Sequence, residues 1–215
     1  MADPAPRILV LAGTNGAGKS SIGGAFLRQS GGQYFNPDEI ARAIRARDPG
    51  IDAAAANGLA WTHGRRLLEE AIRDRHDFAF ETTLGGDTIT DLLFEACRRG
   101  FEVCVWYAGL DSPERHIARV AARVRQGGHD IPERDIRSRY DRSRANLVRL
   151  LPHVAELMVY DNSTEADPAA GTPPVPALVL HLRRGAIVGP ADFRHTPGWA
   201  RAIVVAARRH VAARF

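Results

Sequence analysis

Lysine is almost missing from this chain: of 29 basic residues in 215, Lys19 is the sole lysine and every other is arginine. A compact charge on a flexible stem enters a narrow anion site where a planar guanidinium fits poorly, so a lone lysine points to such a site. Codon bias with one exception would give the same count. Cysteine is nearly as scarce. Cys97 and Cys104 are too few for a disulfide framework or a zinc site, and each falls in an apolar pattern that places it in a core. No apolar run approaches membrane-spanning length, and the opening MADPAPR lacks the basic-then-apolar order of a secretory signal, so the expected location is cytoplasmic. Aromatic residues, at 7%, form no stacking series. The charge of +4 and pI near 9.6 therefore suit nucleotides and phosphates better than nucleic acid. Internal repeats are absent too, and the length suits one domain over residues 1–215.

What is present centres on residues 7–30. An apolar run, Ile8 to Ala12, leads into GTNGAGKS from Gly13 to Ser20 and then into a helix-like segment as far as Gln29. This is G-x-x-x-x-G-K-[ST] between a buried strand and a helix start, the context in which the pattern cradles phosphate. Backbone N–H groups of Gly13, Thr14, Asn15, Gly16, Ala17, Gly18, Lys19, Ser20 and Ser21 are expected to surround the anion, helped by the helix dipole. Lys19 reaches the outer phosphates, and Ser20 holds Mg²⁺.

Further along, Tyr34-Phe35-Asn36 reads as a short strand turning through Pro37 into a helix with Asp38 and Glu39 in its first turn. Helices are expected from Ala54 to Arg75, with Trp61, Leu68 and Ile72 on one face, and from Thr88 to Arg99. Strands are expected at Asp77–Phe80, running into Glu81-Thr82-Thr83, at Phe101–Leu110, at Leu157–Tyr160 and at Ala177–Leu182. Two arginine-rich helices, Ser112–Gln126 and Glu133–Leu151, flank a Gly127–Pro132 turn and have the makings of a lid over residues 115–144. A closing helix spans Trp199–Val211, within a C-terminal extension of 164–215. Strands alternating with helices give an α/β fold with a parallel sheet and helices on both faces.

Phosphoryl transfer needs a metal site, a group to deprotonate the acceptor, and cations for the transition-state charge. Glu81, at a strand end, is a candidate metal ligand or substrate contact. Asp38, also at a strand end, is the candidate base, the alternative being a carboxylate that only caps its helix. Most lid arginines are read as solvated and paired with acids; two or three are expected at phosphate. His129 is read as incidental. Asp161 and Asn162 either lie near adenine or end a strand.

Five segments in order resemble the zeta-toxin family of small P-loop kinases: GTNGAGKS, FNPDEIAR, FAFETTL, RVRQGGHDIP with IRSRY, and VYDNS, across residues 7–163. The resemblance implies a nucleoside-kinase-like P-loop fold with sheet order 2-3-1-4-5. It implies ATP and Mg²⁺, and a sugar-nucleotide acceptor such as UDP-N-acetylglucosamine phosphorylated on a hydroxyl. It puts the base on Asp38, acceptor contacts on Glu81 and Thr83 beside Thr82, and catalytic arginines among Arg119, Arg123, Arg137 and Arg139. An antitoxin protein is the partner it suggests. Two other functions fit the motif: a nucleotide-dependent switch or ATPase with no small-molecule acceptor, and a polynucleotide 5′-kinase.

Overall fold

The computed structural model describes residues 4–19, 22–23, 34–164 and 175–214. Its strands are β1 (Arg7–Ala12), β2 (Tyr34–Phe35), β3 (Phe78–Thr82), β4 (Glu102–Gly109), β5 (Glu156–Asp161), β6 (Ala177–Arg183) and β7 (Ala186–Gly189). Its helices are α1 (Pro37–Arg47), α2 (Ala53–Asp74), α3 (Asp87–Arg98), α4 (Pro113–Arg125), α5 (Glu133–Leu150) and α6 (Arg201–Ala212). The first expected helix, Lys19 to Gln29, lies almost wholly outside the described residues, as do Ser20 and Ser21.

One sheet carries all seven strands in the order β2-β3-β1-β4-β5-β6-β7. The first five are mutually parallel, and β6 and β7 extend the β5 edge as antiparallel strands. Apolar β-branched and aromatic runs such as Ile8–Ala12 and Phe78–Phe80 suit strands buried on both faces. Because successive strand residues point to opposite faces, register sorts them cleanly. Ile8 and Val10 align with Phe78 and Phe80 on one side and with Val103 and Val105 on the other, all on the face of the large core. Leu68 and Ile72 of α2, Leu93 of α3, Leu147 and Leu150 of α5, and Ile203 and Ala207 of α6 pack there. Leu9 and Leu11 share the opposite face with Ala79 and Trp106.

Residues 175–214 continue the same sheet. Trp199, just before α6, lies under Gly109 so closely that a Cβ there would sit 2.3 Å from its ring. Its indole donates to Asp161 Oδ1 at 3.2 Å, tying the C-terminal helix to the end of β5. Cys104 is buried as expected, whereas Cys97 is only half-buried at the core's margin.

The parallel order brings the carboxyl ends of β1, β2, β3, β4 and β5 to one edge, where ligands bind in open α/β sheets. Gly13, Asn36, Thr83, Leu110 and Asn162 follow those five ends directly. Trp61 departs from its expected place. It shares a helical stripe with Leu68, yet it is 46% exposed while Leu68 is fully buried. The first half of α2 packs Ala56 and Ala60 on Ala41 of α1, and Trp61 lines a cleft at this edge.

That half of α2 is set by a missing side chain. A Cβ on Gly64 would fall 2.4 Å from Cε1 of Phe35, a rigid ring buried on β2. Replacing Gly by Ala inside a helix ordinarily gains about 1 kcal/mol, but overpacking of this kind costs about 1–3 kcal/mol. Gly64→Ala is therefore expected to destabilise the protein in urea unfolding, against helix propensity. A raised unfolding midpoint would contradict this packing.

Candidate active site

The loop after β1 turns on glycines in the left-handed region: φ is +138° at Gly13, +81° at Gly16 and +79° at Gly18. Side chains have no room there. A Cβ at Gly13 would lie 2.2 Å from Ala108 O, one at Gly16 2.7 Å from His116 O, and one at Gly18 2.2 Å from Asn162 Nδ2. Gly13 N–H donates to Thr82 O at 3.2 Å, and Ala17 N–H closes a turn on Thr14 O at 3.0 Å. The Lys19 ammonium reaches back to Gly13 O at 3.0 Å, which holds the cation beside the concavity.

Three neighbours brace this loop from outside. Buried His116 of α4 lies with Nδ1 2.8 Å from Asn15 O; a carbonyl only accepts, so Nδ1 carries the proton. Asn162, after β5, donates from Nδ2 to Ala17 O at 2.9 Å, and its backbone oxygen accepts from Arg119 Nη2 at 2.8 Å. Arg139 of α5 donates to Asn15 Oδ1 at 2.9 Å. Asn162 thus ends its strand and props the loop, while Asp161 accepts from Trp199.

Facing the loop, Asn36 organises the acids. Its Oδ1 caps α1 by accepting from the N–H groups of Asp38 at 2.9 Å and Glu39 at 3.3 Å, which turns its Nδ2 to donate to Glu81 Oε1 at 3.2 Å. Such a cap contributes about 1 kcal/mol. Because Asn36 supplies it, the Asp38 carboxylate is not the capping group. Tyr34 OH also donates to Glu81 Oε1. Glu81, buried at the end of β3, is fixed in direction, and the charged oxygens there are of the hard kind that suits Mg²⁺.

Asp38 projects from the first turn of α1 toward α4 and the turn after it. Its Oδ2 meets Arg123 Nη1 at 3.3 Å, and its Oδ1 lies 3.7 Å from His129 Nε2. Arg123 Nη2 donates to His129 O at 3.2 Å, folding the Gly127–Pro132 turn over the carboxylate. His129 is therefore part of the site. Burial holds its pKa below the ordinary value despite the pull of Asp38. Burial also lowers the Lys19 pKa, opposed by Glu81 and then Asp38 and reinforced by Arg123 and Arg139.

Helices α4 and α5 are tied to each other and to the end of β3. Ile131 and Ile136 pack on Val120, and Ser143 of α5 donates to Thr83 O at 2.6 Å. Thr82 and Thr83 use their hydroxyls to accept from Leu84 N–H at 3.0 Å and Gly85 N–H at 3.4 Å, shaping the turn after β3. Arg137 stands apart, paired with Glu114 at 2.6 Å on the surface. Arg119, engaged with Asn162, lies at the β5 side of the loop, away from Asp38.

A cleft of about 240 Å³ opens between the loop, α1, α2 and the Gly127–Pro132 turn. Asn15, Asp38, Glu81, Thr82, Thr83, His129 and Arg139 line it. So do Phe35, Asn57, Trp61 and Arg65. Among the described residues no helix is long and apolar enough to cross a membrane.

A model of the zeta toxin family matches residues 1–167. An uncharacterised protein of Haemophilus influenzae is 32% identical over 134 residues, covering 62% of this chain and 92% of that protein. Among solved structures, a chain of AvrRxo1-ORF1:-ORF2 with ATP aligns with a TM-score of 0.65 at 15% identity, over 86% of this chain and 60% of that one. A chain of the PezAT chromosomal toxin–antitoxin system of Streptococcus pneumoniae aligns at 0.55 with 14% identity, over 99% of this chain and 88% of that one. At such identities the likeness is one of fold. The chain spans about 60% of the length of the AvrRxo1 structure it matches.

The brace at His116 has a pH signature. Burial pushes its pKa down from 6.5 to about 4, so below pH 6.5 the unfolded chain takes up a proton that the folded chain refuses. Its contribution is whole above 6.5 and is lost as pH falls toward 4. At about 1.4 kcal/mol per pH unit, lowering pH from 7 to 5 should remove roughly 2 kcal/mol more stability from the native protein than from His116→Gln. Urea unfolding at both pH values checks this, and equal losses would show that His116 is not held neutral.

Proposed function

The chain belongs to the zeta toxin family of P-loop kinases, and from that premise we propose that it transfers the γ-phosphoryl group of ATP to a hydroxyl of a sugar nucleotide, UDP-N-acetylglucosamine or a similar metabolite. The observation that carries this reading is that Asp38 and Glu81 line one cleft, which shares Asn15 with the phosphate loop, while Lys19 of that loop lies close enough to feel both their charges. A bare nucleotide switch has no need of a second cleft lined by a candidate base.

The loop suits ATP because its glycines, at positive φ, let the backbone turn while it packs against Ala108, His116 and Asn162, where no Cβ fits. Residues 13–21 would cradle the phosphates, with Lys19 at the outer ones. Ser20 and Glu81 are the residues assigned to hold Mg²⁺, which when bound neutralises charge shared between the outer phosphates. Arg139 and Arg123 would meet the charge that spreads over the transferred group. The Arg123–Asp38 pair suits that role: at 37% and 41% side-chain exposure it is weakly held, since such pairs contribute about 0–1 kcal/mol. Arg123 can exchange Asp38 for phosphate at little cost, freeing Asp38 to accept the acceptor hydroxyl proton. Arg119 would act at the β5 side of the loop, and Thr82 and Thr83 would shape the acceptor's floor. We assign the full chain, 1–215, to one kinase domain with a lid at 115–144. An antitoxin protein is its proposed partner, in keeping with the toxin–antitoxin assembly of the PezAT structure.

Asp38→Asn tests the assignment, since it keeps size and polarity and removes the proton acceptor. Phosphoryl transfer should fall by roughly 10²–10⁴-fold, the usual scale for a lost general base, while ATP affinity stays unchanged. A large loss of ATP affinity would make Asp38 a donor-side or structural group. Unchanged turnover would remove it from the chemistry.

A further inference from the structure

Taken whole, a charge of +4 points away from nucleic acid, but the charge is segregated along the chain. Residues 175–215, which lie beyond the match to the zeta toxin model, carry seven arginines against one acid, Asp192, and leave the remainder slightly acidic. Asp192 is taken up by Arg194 at 2.7 Å. Four of the seven arginines, Arg201, Arg208, Arg209 and Arg214, are exposed and form no ion pair with a described acid.

These four share one surface. Along α6, Arg201, Val205, Arg208, Arg209 and Ala212 fall at i, i+4, i+7, i+8 and i+11 and are exposed, while Ile203, Val204 and Ala207 are buried in the core. Arg214, just past the helix, lies on the turn between β6 and β7, with its Nη1 1.9 Å from where a Gly185 Cβ would stand. The same turn carries Arg184, whose side chain is 76% exposed in a surface pair with Glu102. Helix polarity accounts for Arg208 and Arg209 near the carboxyl end of α6. It does not account for Arg201, which sits in a first turn that holds no acid. Five like charges on one surface repel one another, and an anionic ligand relieves that repulsion.

The character of the surface selects the anion. A protein partner is anchored by large apolar or aromatic side chains, and a membrane-bound helix by apolar ones that sink into lipid. The outer face of α6 offers only Val205 and alanines. Val188, exposed on β7, points away from the sheet face that its neighbour Ile187 shares with α6. A phosphodiester backbone needs no such anchor, because guanidinium forks and released counterions suffice to bind it. The face also carries no amide to read an adenine edge and no ring to stack on a base.

We propose that the outer face of α6, with Arg184 and Arg214, is a docking surface for the phosphodiester backbone of a nucleic-acid duplex, held by charge and without regard to sequence. From Arg201 to Arg209 the helix rises about 12 Å, a length over which a duplex presents roughly seven phosphates. None of the five arginines lines the cleft, and α6 packs against α5, β6 and β7. The duplex is therefore not the phosphate acceptor, and the inference stands apart from the kinase reading.

Fluorescence anisotropy of labelled DNA and RNA duplexes of about 20 base pairs, titrated with the full chain with and without a non-hydrolysable ATP analogue, tests the surface. At least one duplex should bind, and raising salt from 50 to 200 mM should weaken it about 10²-fold, as roughly four phosphate contacts imply. The tighter of the two identifies the source of the backbone. Arg201→Gln, Arg208→Gln and Arg209→Gln should each lower the salt slope by about one, whereas Arg45→Gln, which removes the same charge from α1, should leave it unchanged. No binding of either duplex at 50 mM salt, a slope indifferent to the three α6 variants, or displacement by the ATP analogue would each overturn the proposal. If the duplexes stay unbound while phosphatidylserine vesicles or polyglutamate bind the native chain and not the triple variant, the surface belongs to lipid or to an acidic protein instead.

Discussion

The turn from Gly13 to Gly18 constrains everything around it. To aim backbone N–H groups into one concavity the chain must pass through left-handed conformations, and only glycine does so at little cost. Its neighbours then close to distances that no Cβ tolerates: Ala108 on β4, His116 on α4 and Asn162 after β5. The loop is therefore a tightly enclosed piece of backbone whose shape belongs jointly to the sheet and to α4.

The acids opposite the loop obey a different logic, that of hydrogen-bond directionality. Asn36 can cap α1 only through its oxygen, and that fixes its amide nitrogen on Glu81. One side chain thereby sets both where the helix carrying Asp38 begins and how Glu81 points. Glu81 accepts from Tyr34 and Asn36, which fix its direction, whereas Asp38 meets Arg123 of α4 and His129 of the turn that follows it.

Much of this was legible in the sequence where the physics is local. The phosphate loop declares itself by glycine spacing, α1 by Asn-Pro-Asp-Glu at its start, and the parallel strands by uninterrupted apolar runs. Asn36 itself carries the signal of a helix cap, and it was its second partner, 45 residues away, that no local rule could supply. Tyr34, His116 and Asn162 act through contacts with sequence separations of 47, 101 and 145, so their roles appear only once β2, α4 and β5 are stacked beside the loop. His129 looked incidental for the same reason, because its partner Asp38 comes from another layer. Trp61 misleads in the opposite way: periodicity correctly groups it with Leu68, but periodicity does not say that one end of the stripe lines a cleft while the other is buried in the core.

The account's central claim is that the cleft beside the phosphate loop receives a phosphate acceptor. It is tested most directly by incubating the protein with ATP labelled in its γ-phosphate and a panel of sugar nucleotides and nucleosides, then separating the products. The account predicts label in a new phosphorylated metabolite. Label found only in inorganic phosphate, at a steady rate across the whole panel, would contradict it and make the protein a nucleotide hydrolase.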